Sequence, residues 1–117
     1  IIVGGPKANI IIERINTKLP IYFDAKREFD IISSLTKSVY TGDEVGILVK
    51  MQNPFNKNKE VIVISGKRFK GTQAAILALI KYFRKIWAES KNNLVARVVR
   101  GIDRDADGKI DDVEFLE

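Results

Sequence analysis

Residues 60–90, EVIVISGKRFKGTQAAILALIKYFRKIWAES, decide the fold class of this chain. The unbroken β-branched run from Val61 to Ile64 predicts a central strand that is buried on both faces. After a loop at residues 66–71, apolar residues recur at helical spacing and predict a helix over residues 72–90, with Thr72 as its N-cap. The stripe expected to face the core is Ile76, Leu79, Ile80, Phe83 and Ile86 or Trp87. A buried strand followed by a long helix is typical of an α/β fold.

Strand patterns flank this unit on both sides. Residues 45–51, VGILVKM, predict a partly buried strand, and residues 94–99, LVARVV, predict another. The polar stretch Asn-Pro-Phe-Asn at residues 53–56 has the composition of a turn. The middle of the chain therefore predicts two strands separated by a short turn.

The start of the chain predicts a short strand, a tight turn and a helix. Residues 1–3 are β-branched and run into Gly4-Gly5-Pro6. Residues 8–19 carry isoleucines at helical spacing, with Asn9 as the expected N-cap. Pro20 ends this helix, and residues 21–23 predict a second short strand. Since the chain begins at Ile1 inside an apolar run, we expect a fragment or a processed chain.

Residues 25–38 are ambiguous. Phe29, Ile32 and Leu35 have helical spacing, whereas Ser33-Ser34 weakens a helical interpretation. Taken together, the pattern predicts a single α/β domain over residues 1–117. Its mixed, partly parallel sheet would be flanked by two or three helices, and the C-terminus would carry a strand followed by a calcium loop.

Composition excludes several functional classes. The chain has 117 residues, 45% hydrophobic and 30% charged, which suits one globular domain with a lean towards thermophiles. It contains no cysteine and no histidine, so it lacks thiolate metal ligands and the commonest catalytic base. The net charge is +5, but the basic residues are spread along the chain, which disfavours a nucleic-acid site. No apolar run is long enough to span a membrane.

The most specific motif is DRDADGKIDDVE at residues 103–114, which matches all twelve positions of an EF-hand calcium loop. Calcium takes six to eight oxygen ligands, which carboxylates at alternate positions can supply around a glycine bend at Gly108. The predicted ligands are Asp103, Asp105, Asp107, the backbone carbonyl of Lys109, Asp111 and the bidentate Glu114. The expected cofactor is a structural Ca²⁺.

A β-hairpin is the alternative interpretation of the same residues, because Asp107-Gly108 is a favoured two-residue turn. It would join strands at residues 94–102 and 110–116, but it gives no reason for Asp103, Asp105 and Glu114. Both interpretations are compatible if the ion lies within an elaborated hairpin turn. A single loop without flanking helices predicts weak binding, on the order of 10⁻⁴ M or weaker, which suits an extracellular module.

Two glycine loops offer a different kind of site. Gly4-Gly5-Pro6 precedes a predicted helix, and Gly66 to Thr72 superficially resembles a P-loop. The second loop lacks the lysine that contacts the β- and γ-phosphates, so nucleotide hydrolysis has no support. Binding of a phosphorylated small molecule at Gly4–Asn9 and Gly66–Thr72 remains the alternative function.

Several short motifs resemble domains of S-layer and related surface proteins of Thermococcales and methanogens. They are GGPxAN at residues 4–9, NPFN at residues 53–56, GTxAA at residues 71–75 and GxDxDxDGxIDxVExLE at residues 101–117. The resemblance implies a non-catalytic structural module of an archaeal cell envelope. Its expected partners are copies of itself or other surface-protein domains. The expected location is extracellular or on the cell surface, with the cytoplasm as the alternative.

Overall fold

The computed structural model describes residues 2–5, 10–90 and 94–117. Eight strands occur in this order: β1 (Ile2–Val3), β2 (Ile21–Asp24), β3 (Asp30–Ser33), β4 (Ser38–Tyr40), β5 (Val45–Gln52), β6 (Glu60–Gly66), β7 (Val95–Ile102) and β8 (Asp112–Phe115). Two α-helices are present among these residues, α1 (Ile10–Ile15) and α2 (Phe69–Ala88). Short 3₁₀ turns follow α1 and β2 at Asn16–Lys18 and Ala25–Arg27. None of the described helices is long and apolar enough to cross a membrane.

The larger sheet has five strands in the order β1-β6-β5-β7-β8. β1 runs parallel to β6, with Ile2 opposite Val63, and the other neighbouring pairs are antiparallel. This mixed, partly parallel sheet with two helices confirms the predicted α/β fold. The strands at residues 45–51 and 60–65 are also confirmed, although β5 rather than β6 lies at the centre of the sheet.

A second, three-stranded antiparallel sheet has the order β2-β3-β4. The helical interpretation of Phe29, Ile32 and Leu35 is therefore wrong: Ile32 lies in β3, opposite Tyr22, and Leu35 lies in the following turn. The turn from β2 into β3 places Phe29 in the left-handed region (φ 64°). The buried residues of β3 alternate with less buried ones, as in a strand. The helical spacing of Phe29, Ile32 and Leu35 is therefore a coincidence.

The five-stranded sheet is covered on both faces. On one face, side chains such as Ile47, Val63 and Val98 pack with α1 and the smaller sheet, including Ile12 and Phe23. On the other face, side chains of β5, β6, β7 and β8 pack against α2. That second core comprises Leu48, Ile64, Ala74, Ala75, Ala78, Ile86, Val95, Val99 and Val113. The alternation of side chains along β5 divides its residues between the two cores.

Helix α2 differs from the sequence prediction in its start and its buried face. It begins at Phe69 with Arg68 as N-cap, so Thr72 lies inside the first turns rather than at the cap. The residues that it buries are Gly71, Ala74, Ala75, Ala78 and Ile86. In the predicted stripe, Ile80 is 72% exposed and Phe83 is 50% exposed.

Close packing of α2 on the sheet explains that difference. A Cβ added to Gly71 would lie 2.1 Å from the carbonyl oxygen of Val45, and one added to Gly46 would lie 2.1 Å from the oxygen of Gly71. Only small residues permit this approach, so alanines and glycine face the sheet and larger side chains are left outside.

The predicted helix at residues 8–19 is shorter in the structure, since α1 ends at Ile15 and a 3₁₀ turn follows. The predicted N-cap, Asn9, lies outside the described residues. The side chain of Asn16 both donates to the carbonyl oxygen of Phe23 (2.7 Å) and accepts from its N–H (2.8 Å). This double hydrogen bond fixes the end of the first helical segment to β2. The predicted turn at residues 53–56 is confirmed, with Asn53 Oδ1 accepting from Phe55 N–H at 2.8 Å.

Candidate metal-binding loop

The acidic motif connects the last two strands of the sheet. β7 and β8 are antiparallel, with Ile102 opposite Asp112, and residues 103–111 form the connection between them. The hairpin interpretation is therefore confirmed in outline. The prediction of a tight two-residue turn at Asp107-Gly108 is wrong, because the strand pairing ends at Ile102 and Asp112, several residues away on either side. The calcium pattern thus occupies an elaborated hairpin turn.

Three carboxylates of this loop converge. Asp103, Asp105 and Asp111 each offer one oxygen, and these atoms all lie within 4.8 Å of one another. All three side chains belong to the exposed or half-buried surface of the loop. Oxygens at such a separation can coordinate one hard cation, since calcium–oxygen distances are about 2.3–2.6 Å.

Backbone N–H groups orient these carboxylates. The two oxygens of Asp103 accept from the N–H of Asp107 (3.2 Å) and of Gly108 (2.8 Å). Asp111 accepts from the N–H of Arg104 through both oxygens, at 3.1 and 3.2 Å. Gly108 has φ of 84°, a conformation that glycine adopts without strain, so the bend that presents these donors requires a glycine.

The crowding of negative charge affects the acid strengths in the loop. Desolvation acts to raise the pKa of Asp103, but hydrogen bonds from Gly108 N–H, the Asp105 side chain and Asp107 N–H outweigh it and lower that pKa. The pKa of Asp105 is raised, first because its side chain shares a hydrogen bond with Asp103 and then by desolvation. The opposite shifts of the two pKa values reflect how close these carboxyl groups are, and a bound cation would offset the repulsion between them.

Asp107 and Glu114 are not among the carboxylates that meet within 4.8 Å, although the side chain of Asp107 is close to that of Asp105. Asp107 Oδ1 accepts from the N–H of Lys109 at 2.8 Å. Glu114 lies in β8 opposite Arg100 and forms an ion pair with its guanidinium group. The structure thus brings Asp103, Asp105 and Asp111 together. Asp107, the Lys109 carbonyl oxygen and Glu114 are not part of this group, and their role as ligands is still a prediction from the sequence.

Asp112 is a structural residue of the loop that the sequence did not single out. It is 9% exposed, and its carboxylate is bonded by Tyr82 Oη (2.6 Å), Arg104 Nε (2.9 Å) and Lys81 Nζ (3.4 Å). The pKa of Asp112 is strongly lowered, chiefly by the Tyr82 hydroxyl, then by the Val113 N–H and Arg104. The sequence contained one hint of this structural role. Asp112 is acidic although the calcium pattern does not require a ligand at its position.

Glu117 ties the end of the same hairpin to the smaller sheet. Its carboxylate accepts hydrogen bonds from the hydroxyls of Ser33, Thr36 (2.9 Å) and Tyr40 (2.6 Å). Its main-chain oxygen accepts from Arg97 Nε at 2.8 Å. The pKa of Tyr40 is raised, first by burial and then by its bond to Glu117. The segment after the acidic loop therefore bridges the two sheets.

The glycine loops lie at the carboxyl ends of the parallel strands β1 and β6. Gly4 N–H donates to Ile64 carbonyl oxygen at 3.1 Å, and a depression of about 440 Å³ lies beside Gly4, Gly66 and Phe69. Residues 6–9 of the predicted Gly4–Asn9 site lie outside the described residues. A Cβ on Gly66 would lie 2.3 Å from Thr72 N, so close packing accounts for this glycine. Lys67 Nζ is paired with Asp30 at 2.7 Å.

Comparisons with known proteins give one archaeal relative. An uncharacterized protein of Methanocaldococcus jannaschii is 34% identical over 83 residues, which cover 70% of this chain and 16% of that protein. The chain therefore spans a minor part of the relative's length. No protein-family model matches the chain, and no solved structure shows significant similarity to it.

Proposed function

We propose that this chain is a non-catalytic, calcium-stabilised structural and interaction domain of an archaeal cell-surface protein of S-layer type. The observation that carries the proposal is the convergence of Asp103, Asp105 and Asp111 within a loop that also has the twelve-position calcium pattern. Spacing in the sequence and proximity in space are separate observations, and both favour a hard divalent cation.

The position of the loop supports a structural role for the ion. Residues 103–111 connect β7 to β8, and the segment after β8 ends in the Glu117 bonds to the smaller sheet. A cation held by the loop would offset the repulsion between its carboxylates and restrict the hairpin. The ion would thereby stabilise the contact between the two sheets rather than drive a reaction.

The surface assignment is supported by the weak affinity expected of a single loop, and the archaeal origin is supported by the relative from Methanocaldococcus jannaschii. A site of about 10⁻⁴–10⁻³ M is filled at extracellular calcium levels and stays empty in a resting cytosol. The resemblance of the short motifs to S-layer-related domains favours copies of this chain or neighbouring surface domains as partners. Fractionation of cells with an antibody to the chain tests this assignment, and recovery in the cytosol alone would contradict it.

Thermal unfolding in a calcium titration tests the metal site. With a Kd of about 10⁻⁴–10⁻³ M, calcium at ten millimolar adds roughly 1–3 kcal/mol and raises the melting temperature by several degrees. The double variant Asp103→Asn/Glu114→Gln should lose this rise. The matched control Glu13→Gln/Asp43→Asn changes two exposed acids elsewhere and should keep it. A melting temperature that ignores calcium in the unaltered chain would refute the site.

A ligand-binding domain or an enzyme for phosphorylated small molecules is the second candidate. One observation favours it: β1 and β6 are adjacent and parallel, and they lead to helices α1 and α2 on opposite faces of the sheet. Open α/β sheets bind ligands at such a switch point. Arg68 at the N-terminus of α2 makes no side-chain cap, which leaves N–H groups of the first turn available.

Thermal shifts with inorganic phosphate and with nucleotides test this second function. Binding predicts a rise in melting temperature that Gly5→Ala abolishes, because a Cβ there would lie 3.0 Å from the oxygen of Gly66. Gly42→Ala is the control, since its Cβ would contact only a methyl group of the Val45 side chain, at 3.3 Å, and no backbone atom. Equal melting temperatures with and without these ligands would exclude the candidate.

A further inference from the structure

The outer face of α2 carries large apolar side chains that are at least half exposed. Phe69 is 75% exposed, Ile80 is 72% exposed and Phe83 is 50% exposed. Phe69 and Ile80 are eleven positions apart, which is close to three helical turns, so they lie on one side of the helix about 17 Å apart. Phe83 follows three positions later, just after Tyr82, where α2 departs from helical geometry. Ile76, which is half-buried, lies between the first two, and the Phe83 ring stacks on Trp87 at 4.6 Å between centroids.

The charges on this helix have one sign. Residues 69–88 contain four basic side chains and no acidic one. Lys70, Arg84 and Lys85 are exposed, and none forms an ion pair with an acidic side chain in the described parts of the chain. Lys81 is the exception, because it bonds Asp112 at the border with the acidic loop. An apolar face flanked by unpaired positive charge needs a partner that is both apolar and negative.

We propose that this face of α2 docks on an anionic lipid surface. Exposed aromatic and aliphatic side chains beside lysine and arginine are the arrangement by which helices lie in a membrane interface. Gln73 is the one exposed, uncharged polar side chain along this helix, so the face offers few directional bonds of the kind that specify a protein partner. A lipid surface requires none.

A second copy of the chain fits this face less well. Isologous pairing of two α2 helices would bring the charges of Lys70, Arg84 and Lys85 on one helix against the same three on the other, which costs free energy unless counter-charges intervene. An anionic surface instead gains from these three charges. The inference does not depend on calcium binding, and its test is therefore carried out in a chelator.

Cosedimentation with vesicles tests the inference. In chelator and low salt, the chain should bind vesicles of phosphatidylglycerol with phosphatidylcholine at least about tenfold more strongly than vesicles of phosphatidylcholine alone. Added salt should weaken the binding. The emission of Trp87, the single tryptophan, should shift to shorter wavelength on binding, because its stacking partner Phe83 enters the interface.

The variant Phe69→Ser/Arg84→Glu should lose this binding by about tenfold or more while keeping its circular dichroism spectrum. The matched control Phe55→Ser/Lys57→Glu makes the same changes at exposed positions of the 53–59 loop and should bind as the unaltered chain does. Equal binding to neutral vesicles, no binding to either kind, or equal loss in both variants would overturn the proposal. So would a dimer in chelator that Phe69→Ser/Arg84→Glu dissociates, because a second copy would then cover the face.

Discussion

The hydroxyl of Tyr82 donates a 2.6 Å hydrogen bond to Oδ1 of Asp112, and this bond joins the middle of α2 to the last strand of the sheet. Tyr82 is also the residue at which α2 departs from helical geometry, with φ of −121° and ψ of 23°. Asp112 directly follows the acidic loop. The base of the candidate calcium site is therefore fixed to the long helix by this phenol together with the ammonium group of Lys81.

The first prediction concerns this phenol. Tyr82→Phe should lower the melting temperature by a few degrees, because the nearly buried Asp112 loses a hydrogen-bond donor while the ring contact with Phe115 is kept. Differential scanning calorimetry in chelator measures the change. Tyr22→Phe is the control, since no hydrogen bond of the Tyr22 hydroxyl is seen among the described residues, and an equal loss there would contradict the assignment.

The second prediction concerns acid stability. The pKa of Asp112 is lowered in the folded chain, first by Tyr82 and then by the Val113 N–H and Arg104. An unfolded aspartate titrates near about 3.9, so the unfolded chain binds the proton more readily. The ionised Asp112 therefore contributes its full stabilisation to the folded chain above about pH 4, and this contribution is lost as the pH falls below that value.

Urea unfolding at a series of pH values measures this loss. Asp112→Asn should flatten the fall in unfolding free energy below about pH 4, because the variant has no proton to take up at that position. Glu13→Gln, which alters an exposed carboxylate without a described partner, should leave the slope unchanged. Parallel slopes for Asp112→Asn and the unaltered chain would be inconsistent with the lowered pKa.

The third prediction concerns the bridge between the sheets. Glu117→Ala removes the carboxylate that accepts hydrogen bonds from the Ser33, Thr36 and Tyr40 hydroxyls. The substitution should therefore lower the free energy of unfolding by about 1–3 kcal/mol. Hydrogen exchange should speed up in β3 and β4 more than in β5 and β6. A uniform change across both sheets would mean that Glu117 stabilises the whole fold without acting as a specific bridge.

The fourth prediction concerns Glu114, which can serve calcium only by leaving Arg100. An exposed ion pair contributes up to about 1 kcal/mol, so Arg100→Gln should tighten calcium binding by up to about fivefold. Glu114→Gln should weaken it. Calorimetric titration of both variants measures these effects. Unchanged affinity in Glu114→Gln would remove this residue from the ligand set and leave Asp103, Asp105, Asp107 and Asp111 as the side-chain ligands.

The sequence predicted those parts of the fold in which the environment of a residue depends mainly on residues close to it in the chain. The β-branched run at Val61 identified a buried strand, because such runs pack well on both faces of a sheet. The same reasoning failed for Ile80 and Phe83, since their exposure depends on how closely α2 approaches Gly46 and Gly66. That approach joins distant segments, and periodicity within a helix carries no information about it.

The candidate site divides in the same way. The spacing of Asp103, Asp105 and Asp111 is local, and the structure brings these three side chains together. The roles of Asp112 and Glu117 are set by Tyr82 and Tyr40, which are far away in the chain. Sequence spacing could therefore locate the acidic loop but could not identify the residues that attach it to the rest of the fold.

The parallel pairing of β1 with β6 has a consequence for the order of folding. Ile2 lies opposite Val63, so β1 and β6 close a loop of about half the chain with only two paired positions. β5 and β7 close a loop of similar length but pair at six positions, and the β5–β6 and β7–β8 pairs close much shorter loops. Closing such a long loop costs chain entropy before the contacts between the two strands can stabilise the fold. We expect β1 to be added last, and the Gly4 amide, bonded to Ile64, to be the latest protected in pulse-labelled refolding.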